Sequence, residues 1–238
     1  MEIVCLKWGD KFSHTHVNRL YKMVKKNFYD DFTFVCYTEN SLYIDERIEI
    51  RPLNMDYDLE KWWWKLTLFE KSTDKPTMFL DLDIVIQHNI THFKDYCKAG
   101  KICTVKAYWK PHARDLPPIP PGYNMDLNSS IIVWNGDLTH VWKQFYDQAD
   151  YLMCKYQGID SYLYFHHKNI LEFFPRNEIY SRLHGMDEEQ MWWHGPKAPL
   201  FYDDTYSICI FNKWKMDKKF GGPGIDDNAY IGFEKYWI

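Results

Sequence analysis

The chain has 238 residues, a formal net charge of -4 and a hydrophobic content of 46%. That length suits one domain with a sizeable core, and the acidic balance excludes a general nucleic-acid binder, which needs a basic face. No apolar run reaches the length of a membrane span, and Met1-Glu2 leads straight into a strand pattern instead of a leader. Aromatic residues make up 18%, with 11 Trp and 18 Tyr. Such rings fill cores, and they also line grooves that take sugars and bases. Cys5, Cys36, Cys97, Cys103, Cys154 and Cys209 show no metal-binding or disulfide spacing. They are expected to be small buried hydrophobes in a reducing compartment, which places the protein in the cytoplasm.

Glu2 to Leu6 predicts a first strand, and Lys7-Trp8-Gly9-Asp10 a loop. A helix follows from Ser13 to Phe28, because Val17, Leu20, Tyr21, Val24 and Phe28 recur at helical spacing and Ser13 suits an N-cap. Phe32 to Tyr37 and Arg47 to Arg51 read as strands, Leu59 to Glu70 as a helix, and residues 77–83 as a strand with an acidic end. The order is that of an α/β fold with a mostly parallel sheet. Beyond residue 110 it loosens. His112 to Tyr123 is proline-rich and extended, Ser129 to Trp134 a strand, Asp137 to Asp147 and Ile159 to His166 helices, and Ser207 to Phe211 a last strand. Residues 213–238 form a tail rich in Lys, Gly and aromatics.

The most informative segment is Thr77-Met78-Phe79-Leu80, closing into Asp81-Leu82-Asp83 and then Ile84-Val85. A buried strand that ends in two carboxylates one residue apart delivers both to the rim of a sheet, where open α/β sheets place their ligands. Carboxylates are hard ligands, so the ion they suit is Mg²⁺ or Mn²⁺, held against a phosphate. The blander alternative is a solvated strand end. A second pair, Asp56-Tyr57-Asp58, lies in polar sequence and reads as a turn.

These motifs resemble those of metal-dependent, nucleotide-sugar-using glycosyltransferases of the GT-A fold, with glycogenin and the galactosyltransferase-like family 8 as the nearest type. Trp8-Gly9-Asp10 with Val17, Asn18, Leu20 and Tyr21 is similar to the opening loop and first helix. Trp63-Trp64-Lys65-Leu66 is similar to the helix before the acidic motif, and Phe79 to Val85 to the DxD strand. Asn128-Ser129-Ser130 is similar to an Asn-containing sugar-site motif, and Gly158-Ile159-Asp160-Ser161 to a Gly-Asp-Gln element. One departure stands out. The resemblance implies a third metal ligand from a late His-x-x-Gly-x-x-Lys-Pro element, but the expected place reads Phe211-Asn212-Lys213-Trp214-Lys215. Asn212 takes that role in this reading, with His194 of His194-Gly195-Pro196-Lys197 as the alternative.

The resemblance implies residues 1–212 as the catalytic domain, with the tail 213–238 packing over the site. Its cofactors are Mn²⁺ or Mg²⁺ and a UDP-linked sugar; its partners are that donor and a glycan or lipid-linked acceptor, with peripheral membrane contact. Asp83 then holds the diphosphate through the metal, and Asp81 bridges metal and ribose. Lys65, Lys213 and Lys215 are candidate phosphate cations, although each also reads as a solvated lysine. Lys7, Trp8 and Asp10 meet the nucleotide, unless Trp8 is core. Asn128 and Asp160 face the sugar, unless Asp160 simply stabilises its helix terminus. His14, His16, His166 and His167 read as structural. Two rival classes remain. A haloacid-dehalogenase-type phosphohydrolase would use Asp81 as nucleophile and Asp83 as acid/base, with Asp203-Asp204 or Asp226-Asp227 on Mg²⁺. A non-catalytic carbohydrate- or membrane-surface-binding module would use the tail, from Lys213 to Phe220.

Overall fold

Seven strands make the central sheet of this computed structural model, which describes residues 1–108, 126–182, 202, 205–211 and 232–238. Asn212, Lys213, Lys215, His194, the two Asp-Asp pairs and the proline-rich stretch from His112 to Tyr123 lie outside the described residues. The strands are β1 (Glu2–Lys7), β2 (Thr33–Thr38), β3 (Glu49–Pro52), β4 (Thr73–Leu80), β5 (Ile84–Ile86), β6 (Ile102–Lys106), β7 (Leu127–Gly136), β8 (Leu171–Phe173), β9 (Ile179–Ser181) and β10 (Ile208–Ile210). The helices are α1 (His14–Asn27), α2 (Thr139–Tyr146), α3 (Ala149–Lys155) and α4 (Ile159–His166). The central order is β3-β2-β1-β4-β7-β6-β8, and β5-β10-β9 form a separate three-stranded sheet.

Only β7 runs against its neighbours β4 and β6; the other adjacent pairs of the large sheet are parallel. This matters for the site. The ends of β1, β2 and β4 and the start of β7 all fall on one rim, and Leu80 pairs with Ile131 there.

Side-chain alternation divides the core into two layers. Ile3, Cys5, Met78, Leu80, Ile131 and Val133 face the layer that holds α1. Val4, Phe79, Ile132 and Trp134 face the layer built by the 61–69 helix and by α2, α3 and α4. Helix α1 forms because Val17, Leu20, Tyr21 and Val24 make one buried stripe, while Lys25 and Lys26 sit favourably in its last turn. It stops at Phe28, whose N–H still donates to the Val24 carbonyl at 2.8 Å. Ser13 occupies the N-cap, but its hydroxyl meets His16 Nδ1 at 3.1 Å instead of capping the backbone.

Two sequence expectations need correcting. The α-helix expected over 59–70 is a 3₁₀-helix, Lys61–Phe69. The Thr67 hydroxyl donates to the Trp64 carbonyl at 2.8 Å, one tight turn back, and this supports the narrower coil. The acidic strand expected over 77–83 ends at Leu80; Asp81 to Asp83 form a turn, and Ile84 opens a strand of the other sheet. Strands β6, β8 and β9 and helix α3 were not expected from the sequence. No described helix is long and apolar enough to cross a membrane.

Candidate active site

A bulge at the start of β7 is the hub of the rim. Against β6 the register steps from Thr104↔Ile132 to Val105↔Asn128, which pushes residues 129–131 out of the ladder. The buried Thr104 hydroxyl lies 2.9 Å from both the Asn128 and the Ile131 carbonyls and holds the two sides of the bulge. Four further backbone groups of the bulge, those of Ser129 and Ser130, are engaged by candidate site residues. Asp81 N–H donates to the Ser130 carbonyl at 2.8 Å, and Lys65 Nζ to the Ser129 carbonyl at 3.2 Å. Ser129 N–H donates to Asp160 Oδ1 at 3.0 Å, and Ser130 N–H to Asn128 Oδ1 at 3.0 Å.

Lys65 also donates to Asp81 Oδ2 at 2.8 Å, closing the network. The structure thus brings together Lys65, Asp81, Asn128 and Asp160, four of the residues singled out in the sequence. Asp83 lies two residues beyond Asp81 and is half-buried; its carbonyl accepts from Phe211 N–H at 3.1 Å. Its carboxylate makes no hydrogen bond or ion pair among the described residues, and neither does the amide NH₂ of Asn128. Burial pushes the Asp81 carboxyl up to about 6; the Lys65 ammonium opposes the rise and the Asp83 charge adds to it. Two close carboxylates served by one ammonium are short of positive charge. They are hard oxygen donors, which fit Mg²⁺ or Mn²⁺ and not a thiolate-seeking ion. Among the described residues no third Asp, Glu, His or Cys joins them as a metal cluster, and Asn212, the expected third ligand, lies outside that set.

Beside this hub, past the end of β1, lies a cavity of about 220 Å³ whose lining includes Lys7, Asp10, Phe12, His14, Asn40 and Tyr43. Its floor is ordered by short loop contacts. Gly9 N–H donates to Glu39 Oε1 at 2.7 Å, and Asn18 Nδ2 to the Tyr43 carbonyl at 3.0 Å. Lys7 is only 8% exposed, and its ammonium has no carboxylate partner among the described residues. A buried cation that lines a cavity favours an anionic ligand. Trp8 does not line the cavity; it packs with Leu6 and Tyr37 on the other layer of the core. His14, read as structural, does line it. His16 packs edge-on to Phe12 and Trp237, and His166 bonds the Tyr156 hydroxyl at 3.1 Å.

The described end of the tail packs on α1 and β10: Phe233 meets Phe211 at 5.0 Å and Arg19 sits over Trp237 at 5.3 Å. Sequence reasoning missed Thr104, and it singled out Ser129 and Ser130 as part of a motif without their backbone role. A buried threonine between apolar neighbours in Ile102-Cys103-Thr104-Val105 was the available signal.

At the level of sequence, neither a protein-family model nor a curated protein matches the chain. Solved structures do. The galactosyltransferase LgtC in complex with donor and acceptor sugar analogs superposes with a TM-score of 0.57 at 10% identity, covering 89% of this chain and 87% of that one. The bifunctional glycosyltransferase WbbM gives 0.57 at 12% identity, over 88% of this chain and 45% of that one. Mouse xyloside xylosyltransferase 1 gives 0.51 at 11% identity, over 89% and 98%. The chain therefore has the fold of the GT-A glycosyltransferases.

Proposed function

We propose that this chain is a metal-dependent glycosyltransferase that moves a sugar from a nucleotide diphosphate, of the UDP class, to a glycan acceptor, free or lipid-linked. The observation that carries the reading is the Lys65–Asp81–Ser129–Asp160 network, with the Asp83 carboxylate, unpartnered among the described residues, beside it on the rim of this fold. The six thiols are all unbridged, Cys5 and Cys36 among them although they are register partners, which supports a cytoplasmic location.

In this reading Asp81 and Asp83 hold Mn²⁺ or Mg²⁺, with Asn212 as the proposed third ligand. A bound cation supplies neutralisation of the charge that gathers on the departing diphosphate. The nucleoside occupies the cavity after β1, where Lys7 and Asp10 offer one cation and one acceptor. Lys65 has two tasks. It keeps the half-buried Asp81 ionised, and it presents an ammonium toward the phosphates, where Lys213 and Lys215 are further candidates. The amide NH₂ of Asn128, free among the described residues, binds a sugar hydroxyl. The bond from the anomeric carbon to the diphosphate oxygen breaks, the acceptor hydroxyl oxygen bonds to that carbon, and Asp160 is the carboxylate placed to stabilise positive charge or to take the hydroxyl proton.

The test is calorimetric binding of UDP, GDP and CDP, with and without Mn²⁺, to the wild type and to Asp83→Ala. Binding of one nucleotide only with metal, lost in the variant, is expected. No nucleotide binding, together with Mg²⁺-dependent phosphatase activity that Asp81→Ala abolishes, would overturn the reading in favour of a phosphohydrolase, which this fold does not favour.

A further inference from the structure

Three tryptophans follow one another at Trp62, Trp63 and Trp64, and the structure uses them differently. Trp63 and Trp64 are buried, and Trp63 stacks on Phe145 with ring centroids 5.1 Å apart and planes at 8°. Trp62 is 44% exposed. A 3₁₀-helix has three residues per turn, so Trp62 and Lys65 lie on one face, about 6 Å apart along the axis. Lys65 belongs to the Asp81 network. The same face therefore runs from the hub outward to an open indole.

A second tie reaches Trp62 from the other side of the hub. Its indole Nε1–H donates to the Gln157 carbonyl at 2.6 Å. A Cβ on Gly158 would stand 2.2 Å from that same nitrogen, so only glycine allows the backbone to lie this close. Two residues later Asp160, in the first turn of α4, holds the Ser129 N–H. The indole is thus fixed in place, with its one polar group already satisfied. Lys61 sits over the ring at 5.8 Å, but it is itself exposed on a flexible stem and yields that face at little cost.

An indole that is rigid, half-open and free of polar demand is suited to stack on the apolar C–H face of a pyranose. Burying it strands no donor, because the N–H stays on Gln157. We propose that Trp62 is a sugar platform on the acceptor side, binding a ring of the acceptor next to the one that is modified. The acceptor is then an oligosaccharide, and Trp62 determines specificity for it. This rests on the sugar-nucleotide reading of the hub.

The test uses protein labelled with fluorotryptophan, with the Trp62 fluorine resonance assigned by its loss in Trp62→Tyr. Lactose, maltose and cellobiose are titrated as probes in the presence of UDP and Mn²⁺. A saturable shift of the Trp62 resonance with at least one disaccharide is expected. Affinity for that disaccharide, measured by calorimetry, should fall about tenfold in Trp62→Ala and stay within about threefold in Trp62→Tyr. UDP affinity should move by less than about twofold in both variants, a split that a merely structural role would not produce. No shift at Trp62 with any of the disaccharides, in protein that binds UDP and Mn²⁺, overturns the platform alone. Wild type that binds no UDP with Mn²⁺ removes the donor reading and the platform with it.

Discussion

Replacing Lys65 with methionine keeps an unbranched stem of similar length and removes the ammonium, which lies over the Phe79 ring and donates to Asp81 and to the Ser129 carbonyl. The Asp81 carboxyl stands at about 6 in the folded protein, against about 3.9 for an unfolded aspartate. Because the folded value is the higher one, the carboxyl's favourable contribution is complete below about pH 3.9 and is lost as the pH rises through about 6. At about pH 7.5, holding the charge in the wild-type fold costs about 3 kcal/mol, and protonating the group instead would cost about 5 kcal/mol. The difference limits the damage. Without its ammonium, Asp81 loses at most about 2 kcal/mol before it takes up a proton. At about pH 5.5 the wild-type carboxyl is already largely protonated, and the penalty shrinks to a few tenths of a kcal/mol. Urea unfolding of both proteins at the two pH values measures this directly. A Lys65→Met penalty that is equal at both would mean that Lys65 acts through its contacts with the Ser129 carbonyl and the Phe79 ring, and that the charge argument is wrong.

Thr104→Val retains the shape of the side chain but strands the Asn128 and Ile131 carbonyls. We expect a loss of about 1–2 kcal/mol by urea unfolding, with UDP affinity falling as the bulge loosens; unchanged affinity would detach the bulge from binding. A separate pH effect comes from His167. Burial, with charge from His140 and His166, holds its imidazole down at about 4, and its Nε2 meets the Tyr162 hydroxyl at 2.9 Å. A folded value below the unfolded one of about 6.5 means that stability is complete above about 6.5 and declines as the pH falls toward about 4, by up to about 3 kcal/mol. Thermal unfolding across this range should show the decline in the wild type and a flatter profile in His167→Gln.

The parts that sequence patterns made legible are those with long, one-sided hydrophobic repeats. Helix α1 and the cores of β1, β2 and β7 were readable because each presents a buried stripe that contrasts with polar neighbours. The apolar run into Asp81 was readable for the same reason. Strands β8 and β9 are three residues each, too short to show alternation, and β6 is buried along most of its length, so no polar face marks its period. Over nine residues, periods of 3.0 and 3.6 differ by half a turn at most, which is why 61–69 read as an α-helix. Helix α3 buries only Leu152 fully and gives no stripe at all. At the site, Asp81, Asp83 and Lys65 carried a chemical signature in their residue types. The capture of Ser129 N–H by Asp160 joins residues 31 apart, and no local pattern records such a contact. The pairing of β5 with β10 is longer-range still.

The two acidic residues of the rim are anchored to different sheets. Asp81 hangs by its N–H from Ser130 in the seven-stranded sheet, and Asp83 by its carbonyl from Phe211 at the end of the three-stranded one. Their carboxylates behave as the jaws of a caliper whose opening is set by how the sheets dock. Leu80 and Ile131 on one side and Ile84 and Cys209 on the other share a single apolar layer. Swelling or thinning that layer alters the gap without touching either jaw. For the cation proposed above, the ionic radius this rim would accept, and so its preference between Mg²⁺ and the larger Mn²⁺, would therefore be adjustable from the interior of the protein.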